Sequence, residues 1–196
     1  DDNGLVLPPL VAPIQVVIVP IAQQKPGVIP AARGIYQKFA DAGFRTKLDE
    51  SDHTPGWKFS EYEMKGIPLR VEVGPRDIEK GVVVLAKRND GVKVEVKMDE
   101  MIESAKSLMD KIQKEMYEKA YRYLLDHITE VHSIDELKAA LEKGGYAKMM
   151  WCGDEECENK VKELTTATAR CLPFNQTPFD DTCPICGKKA KKVVLF

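Results

Sequence analysis

Six residues, Ile14-Gln-Val-Val-Ile-Val19, set the tightest limit on what this chain can fold into. Five of the six are β-branched and apolar, and from Val16 to Val19 they run without a polar alternate position. A strand built from them has no wettable face, so it needs cover on both sides. A central strand of a sheet flanked by helices meets that need. The preceding residues 1–13 are rich in proline and glycine and read as a linker.

The following pattern continues the same architecture. Pro30 suits the first turn of a helix through Ile35, Phe39 and Ala40, which Gly43 would end. Phe44 to Leu48 reads as a second strand. Phe59 to Gly66 is short, helical in spacing and stopped by glycine. Leu69, Val71 and Val73 alternate with Arg70 and Glu72, the period of a half-buried strand. Val82 to Ala86 is more continuously apolar. Asn89-Asp90-Gly91 supplies a turn, and Val92, Val94 and Val96 alternate with Lys93, Glu95 and Lys97, which makes a hairpin. From Asp99 the period changes, with Met101, Ile102, Ala105, Leu108, Met109, Ile112, Met116 and Ala120 recurring at three- and four-residue spacing. That stripe is read as core packing rather than a cofactor surface. Ser133-Ile-Asp-Glu136 has the form of a capping box, opening a shorter helix that Gly144-Gly145 closes. The expected fold is α/β, a mixed five-stranded sheet with flanking helices over residues 14–125. A small α+β domain follows over 126–196, with the chemistry changing near Gly144, where the cysteines begin.

Composition narrows the function. The 196 residues are 43% hydrophobic, enough for a core, which excludes a disordered chain. A net charge of −2 excludes a blanket polyanion binder and leaves only local basic patches. The longest apolar stretch, Leu5 to Ala22, carries four prolines, so no membrane span is expected. The chain opens on Asp1-Asp2 with neither Met nor a basic leader, which reads as a mature product or an excised fragment without a secretory signal.

All five cysteines follow position 150, an odd number that suits a reducing compartment. Cys152-x4-Cys157 and Cys183-Pro-Ile-Cys186 form two short-spaced pairs, and Gly153 and Gly187 free the backbone to turn amides towards thiolates. Four thiolates without histidine suggest a closed, structural zinc site. A redox role for the Cys-x-x-Cys half is the alternative. Cys171, beside Leu172-Pro173-Phe174, is read as a buried thiol.

Three long stretches carry a resemblance. Asp1 to Pro20 resembles the segment of prolyl-tRNA synthetases that joins the catalytic to the anticodon-binding domain. Pro55-Gly-Trp-Lys-Phe-Ser-Glu-Tyr-Glu-Met-Lys-Gly-Ile-Pro-Leu-Arg-Val-Glu-Val-Gly-Pro-Arg-Asp77 resembles that family's anticodon-binding core. The two cysteine pairs resemble the zinc-bearing C-terminal domain of its archaeal and eukaryotic-like branch. The resemblance implies the class II anticodon-binding fold shared with threonyl-, histidyl- and glycyl-tRNA synthetases. It also implies cytoplasmic, ATP-dependent attachment of proline to tRNA-Pro by a homodimer, without DNA or membrane partners. The ATP-binding catalytic domain would lie before Asp1, so this chain alone is expected not to aminoacylate. The positions matching the family's anticodon readers are Phe59, Glu63, Arg70 and Lys93, with Arg88 as a second candidate on the hairpin; Cys152, Cys157, Cys183 and Cys186 match its metal ligands. An aromatic ring stacks on a splayed base, a carboxylate accepts from guanine N1–H and N2–H₂, and cations meet acceptor atoms or phosphate. Family members commonly end in a tyrosine, whereas this sequence ends at Phe196, and nothing in it resembles the bacterial editing insertion. Lys188, Lys189, Lys191 and Lys192 read as a solvated face, with tRNA contact as the alternative. Two rival classes remain: a free-standing RNA- or synthetase-binding module of this fold, and a metal-dependent enzyme using the cysteines, which would need an exchangeable ligand.

Overall fold

The β-branched run forms the middle of a sheet. β1 (Val16–Pro20) is buried along its whole length and pairs in parallel with β2 (Thr46–Leu48) on one side and β3 (Leu69–Val73) on the other. β4 (Val82–Lys87) and β5 (Lys93–Lys97) extend the sheet as an antiparallel hairpin, giving the order β2-β1-β3-β4-β5. The structure is a computed structural model and describes residues 4–196. The first three residues of the expected 1–13 linker therefore lie outside the described residues.

Each face of β1 has its own cover. Val16 and Ile18 join Leu69, Val71, Val73, Val83 and Leu85 in one core. α1 (Val28–Asp41) closes it with Ala32, Ile35 and Phe39, and α4 (Met101–Asp126) with Met101, Ala105 and Met109. Val17 and Val19 face the other way, into a cluster with Tyr62 of α2 (Pro55–Met64) and Ile67, against which Phe59 packs. α2 begins before the expected Phe59, because Thr54 accepts from the Trp57 amide at 3.4 Å and Pro55 presets the first turn. A further short helix, α3 (Pro75–Lys80), was not legible as a period. It starts locally, with the Gly74 amide donating to Asp77 Oδ2 at 2.8 Å, and lends Ile78 to the core. The buried stripe of α4 ends at Ile112: Met116 is half-buried and Ala120 exposed, so the helical period outruns the core.

The chain divides into two compact units, one up to Glu118 and one from Lys119. The second unit carries a three-stranded sheet of β6 (Ile128–Val131), β7 (Tyr146–Trp151) and β8 (Lys192–Leu195), with β7 central. α5 (Ile134–Lys143) and α6 (Glu155–Thr165) accompany it, and Val131, Leu137, Ala147, Met149, Val161 and Val194 fill its core. Ser133 caps α5 by accepting from the Glu136 amide at 3.2 Å; in return the Glu136 carboxylate accepts from the His132 amide, one residue earlier than in a standard box. Among the described residues, no helix is long and apolar enough to cross a membrane.

Candidate functional site

α2, β3 and β5 bring one charged cluster together on the sheet face opposite α1. Phe59 and Glu63 lie one helical turn apart, beside the buried Tyr62. On β3 the pleat sends Leu69, Val71 and Val73 into the core and Arg70 and Glu72 to the opposite face. The register places Arg70 opposite Ala86 and Ala86 opposite Lys93, so two long cations flank one small side chain in a single cross-strand row.

The contacts are close. The Arg70 guanidinium lies 3.8 Å from the centroid of the Phe59 ring, and its Nη1 donates to Glu63 Oε1 at 3.0 Å. Its Nε and Nη2 meet Glu72 Oε1 at 3.1 and 3.0 Å. Lys93 Nζ reaches both Glu72 oxygens, at 2.8 and 3.0 Å, and stands 5.4 Å from the Phe59 centroid. The Arg70 and Glu72 side chains are each only 12% exposed, whereas Glu63 and Lys93 are 46% and 49% exposed. The inner pair is thus shielded and the outer pair meets solvent. Arg88 donates from Nε to the Glu63 main-chain carbonyl at 3.3 Å, near the end of α2, rather than to its carboxylate. Glu72 was not anticipated, although its signal was in the sequence: it stands two residues from Arg70 on an alternating strand, hence on the same face.

Behind the cluster, α2 is tied down by a buried network that the sequence did not announce. Lys58 Nζ, on a side chain 1% exposed, meets the Asp49 carbonyl and Gln23 Oε1, each at 3.0 Å, and lies 3.6 Å from Asp49 Oδ1. Asp49 also accepts from the Tyr62 hydroxyl at 2.9 Å and from the Ser51 hydroxyl at 2.6 Å. Burial pushes the Asp49 carboxyl up, but the hydroxyl and amide of Ser51, the Tyr62 hydroxyl and the Lys58 charge outweigh it and hold the group below its ordinary value. Burial first, and then the Asp49 charge, push the Tyr62 hydroxyl up.

The second unit gathers the four expected cysteines. Cys152 follows β7, and Asp154 caps α6 through the Glu156 amide at 3.2 Å, which returns Cys157 towards Cys152. Cys183 and Cys186 sit in a turn closed by Gly187 N to Cys183 O at 2.9 Å and Cys183 N to Lys188 O at 2.8 Å. Gly153 and Gly187 both take the left-handed conformation, at φ 87 and 69. The four sulfurs all lie within 4.8 Å of one another, with Cys152 3.6 Å from Cys157 and 3.7 Å from Cys186. A tetrahedral ion with metal–sulfur bonds of about 2.3 Å sets sulfur–sulfur edges of about 3.8 Å, so the set has the size of such a site. Burial raises the thiols of Cys152 and Cys157, while the Lys188 amide brings Cys186 down to about 7. A bound cation would supply the positive charge that buried thiolates need. Cys171 corrects an expectation. It is exposed rather than buried, held in an extended segment by backbone bonds to Leu195, and its apolar neighbours Leu172 and Phe174 are exposed with it.

Residues 15–108 match the family model of the anticodon binding domain, and residues 134–196 match that of the prolyl-tRNA synthetase C-terminal domain. The proline--tRNA ligase of Lachnospira eligens is 49% identical over 197 residues, covering 100% of this chain and 41% of the relative. Those of Oceanobacillus iheyensis and of Clostridium botulinum (strain Loch Maree) are 48% and 47% identical, with the same coverage. The chain therefore spans about 41% of the length of the curated relatives it matches. These relatives are bacterial and lend no support to the expected archaeal and eukaryotic-like branch.

Proposed function

We propose that this chain, whose residues 15–108 match the anticodon binding domain and residues 134–196 the prolyl-tRNA synthetase C-terminal domain, is the anticodon-reading, C-terminal part of a proline--tRNA ligase. Its own task is to select tRNA-Pro. The observation that carries this reading is the convergence of Phe59, Glu63, Arg70 and Lys93 from three elements into one cluster.

The chemistry suits the ligand. Proline codons begin with two cytosines, so every proline anticodon carries two guanines. Guanine offers N1–H and N2–H₂ as donors and O6 and N7 as acceptors. The half-exposed carboxylate of Glu63 takes the donors, and Arg70 and Lys93 serve the acceptors. Arg70, 3.8 Å from the Phe59 ring centroid, makes with that ring a platform for a splayed base. Arg88 stays a second candidate, acting through the end of α2.

The second unit supports the first role by stability rather than chemistry. Cys152, Cys157, Cys183 and Cys186 would hold a structural zinc ion, their four thiolates leaving no position for substrate. The branch assignment rests on these cysteine pairs alone. ATP and proline chemistry, homodimer formation and residence in the cytoplasm belong to this proposal as properties of the whole ligase; the chain by itself is expected to form no prolyl-tRNA.

Binding of a tRNA-Pro anticodon stem-loop tests the reading, compared with a loop whose two guanines are replaced by adenine. Salt is held constant, because phosphate contacts alone can imitate affinity. A good base contact is worth about 1–3 kcal/mol, so the wild type should prefer the cognate loop by roughly tenfold or more, and Glu63→Ala should erase most of that preference. Equal binding of both loops by the wild type would overturn it and favour a free-standing module with another partner.

A further inference from the structure

Glu72 organises the cluster although nothing in the family resemblance singles it out. Its carboxylate serves cations from two strands, Arg70 on β3 through Nε and Nη2 and Lys93 on β5 through Nζ. Arg70 in turn serves two carboxylates, Glu72 and Glu63. The charges form a chain, Lys93–Glu72–Arg70–Glu63, whose ends meet solvent and whose middle is shielded.

We propose that Glu72 is a positioning residue for base recognition: it anchors Arg70 and Lys93 so that the Arg70–Glu63 pair is the contact an incoming base exchanges. The inference rests on the reading of this cluster as the anticodon site. A guanine edge offering two donors to Glu63 has to share or displace Arg70 Nη1 at Oε1. Once released there, Arg70 does not swing away, because Glu72 holds its Nε and Nη2 and Phe59 lies beneath it. With the guanidinium plane held in place, the freed Nη1–H is left to donate to an acceptor atom of the base. Arg70 is thereby kept off the phosphate backbone, as is Lys93, whose ammonium stays beside the same carboxylate. Glu72 lowers sequence-independent affinity and raises selectivity, since phosphate contacts carry no sequence information.

Glu72→Gln keeps the side-chain shape and removes the charge. Its dissociation constants for the cognate and guanine-substituted stem-loops, measured with the full 196-residue chain across a salt series, distinguish the roles. The expected result is a loss of at least fivefold in preference for the cognate loop, tighter binding of the substituted loop, and a log K against log salt slope steeper by about one. Equal weakening of both loops with an unchanged slope would show that Glu72 only supports the fold and would sink the proposal. Unchanged preference in Glu72→Gln would sink it as well while leaving anticodon reading intact; a wild type without preference brings down both. A second measurement does not depend on the variant folding. In the wild type, the Arg70 Nε–H signal in ¹⁵N spectra should stay protected from exchange when the cognate loop binds. Its loss on binding would mean that Arg70 leaves Glu72, contrary to the proposal.

Discussion

At the scale of single residues, the group under greatest constraint is Lys58, an ammonium buried beneath α2. A buried charge persists only where partners replace its water, and Asp49 and Gln23 do so here. Removing one partner is far worse than removing both. Asp49→Ala leaves Lys58 its bonds to the residue 49 carbonyl and Gln23 but takes away its buried counter-charge and the acceptor of the Tyr62 and Ser51 hydroxyls, and is expected to cost about 3–5 kcal/mol in urea unfolding of the first unit. Replacing Lys58 by methionine together with Asp49→Asn should cost less. The same carboxyl imposes a pH dependence. Its folded value lies below its unfolded value of about 3.9, so the unfolded state holds the proton more tightly and stability rises with pH through that window. The stability advantage of wild type over Asp49→Asn should be constant near neutrality and shrink below about pH 4, as Asp49 takes up a proton; an advantage that persists at lower pH would count against the assignment. Lys58 illustrates what composition hides: on an amphipathic helix a lysine reads as a solvated residue, and only the Asp49 loop folding beneath α2 makes it internal.

Elements differ in how far their origin is local. α5 could be read from its cap because Ser133 and Glu136 act within one turn. α3 is also set locally, but six residues are too few to display a period. β8 depends on pairing with β7, some forty residues earlier in the chain, so no window of sequence contains its reason. The stretch before Cys183 is an element-scale case with a testable consequence. His132 Nδ1 pairs with Asp180 Oδ2 at 2.9 Å, the ring meets Phe179 edge-on, and Lys148, paired with Glu130, lies over Phe179 at 4.8 Å. The hydrogen bond with Asp180 raises His132, helped by the charges of Asp180, Glu136 and Glu130; the same bond lowers Asp180. A raised histidine contributes below its unfolded value and is lost as pH climbs through the folded one, and a lowered aspartate does the reverse. The latch is therefore strongest between about pH 4 and 6.5. Amide protection factors of residues 176–182 should fall from pH 6 to pH 8 in the wild type and not in His132→Ala. Equal pH dependence in both proteins would exclude the latch.

For the whole molecule, the two units should respond separately to loss of metal. Each holds one tryptophan, Trp57 in the first and Trp151 in the second, where Trp151 Nε1 donates to the Asp154 carbonyl at 3.2 Å beside the cysteines. Structural zinc supplies folding energy outright in small domains. Chelation should therefore shift and broaden the Trp151 indole signal and the amides around Cys152, while Trp57 and the core of the first unit keep their native spectrum. Loss of both sets together would contradict separate stability, and no change would exclude a structural ion. The sequence by itself determined the sheet, the hairpin and the long helix, because periods of two and 3.6 are written within a few neighbouring residues. It also brought the four cysteines into view through their short spacings. Only the tertiary structure decided that Glu72 clasps two cations, that Lys58 is internal and that Cys171 faces solvent. Those outcomes depend on strand register and on loops folding back from distant positions, and no local pattern encodes which charges such folding brings within 3 Å of one another.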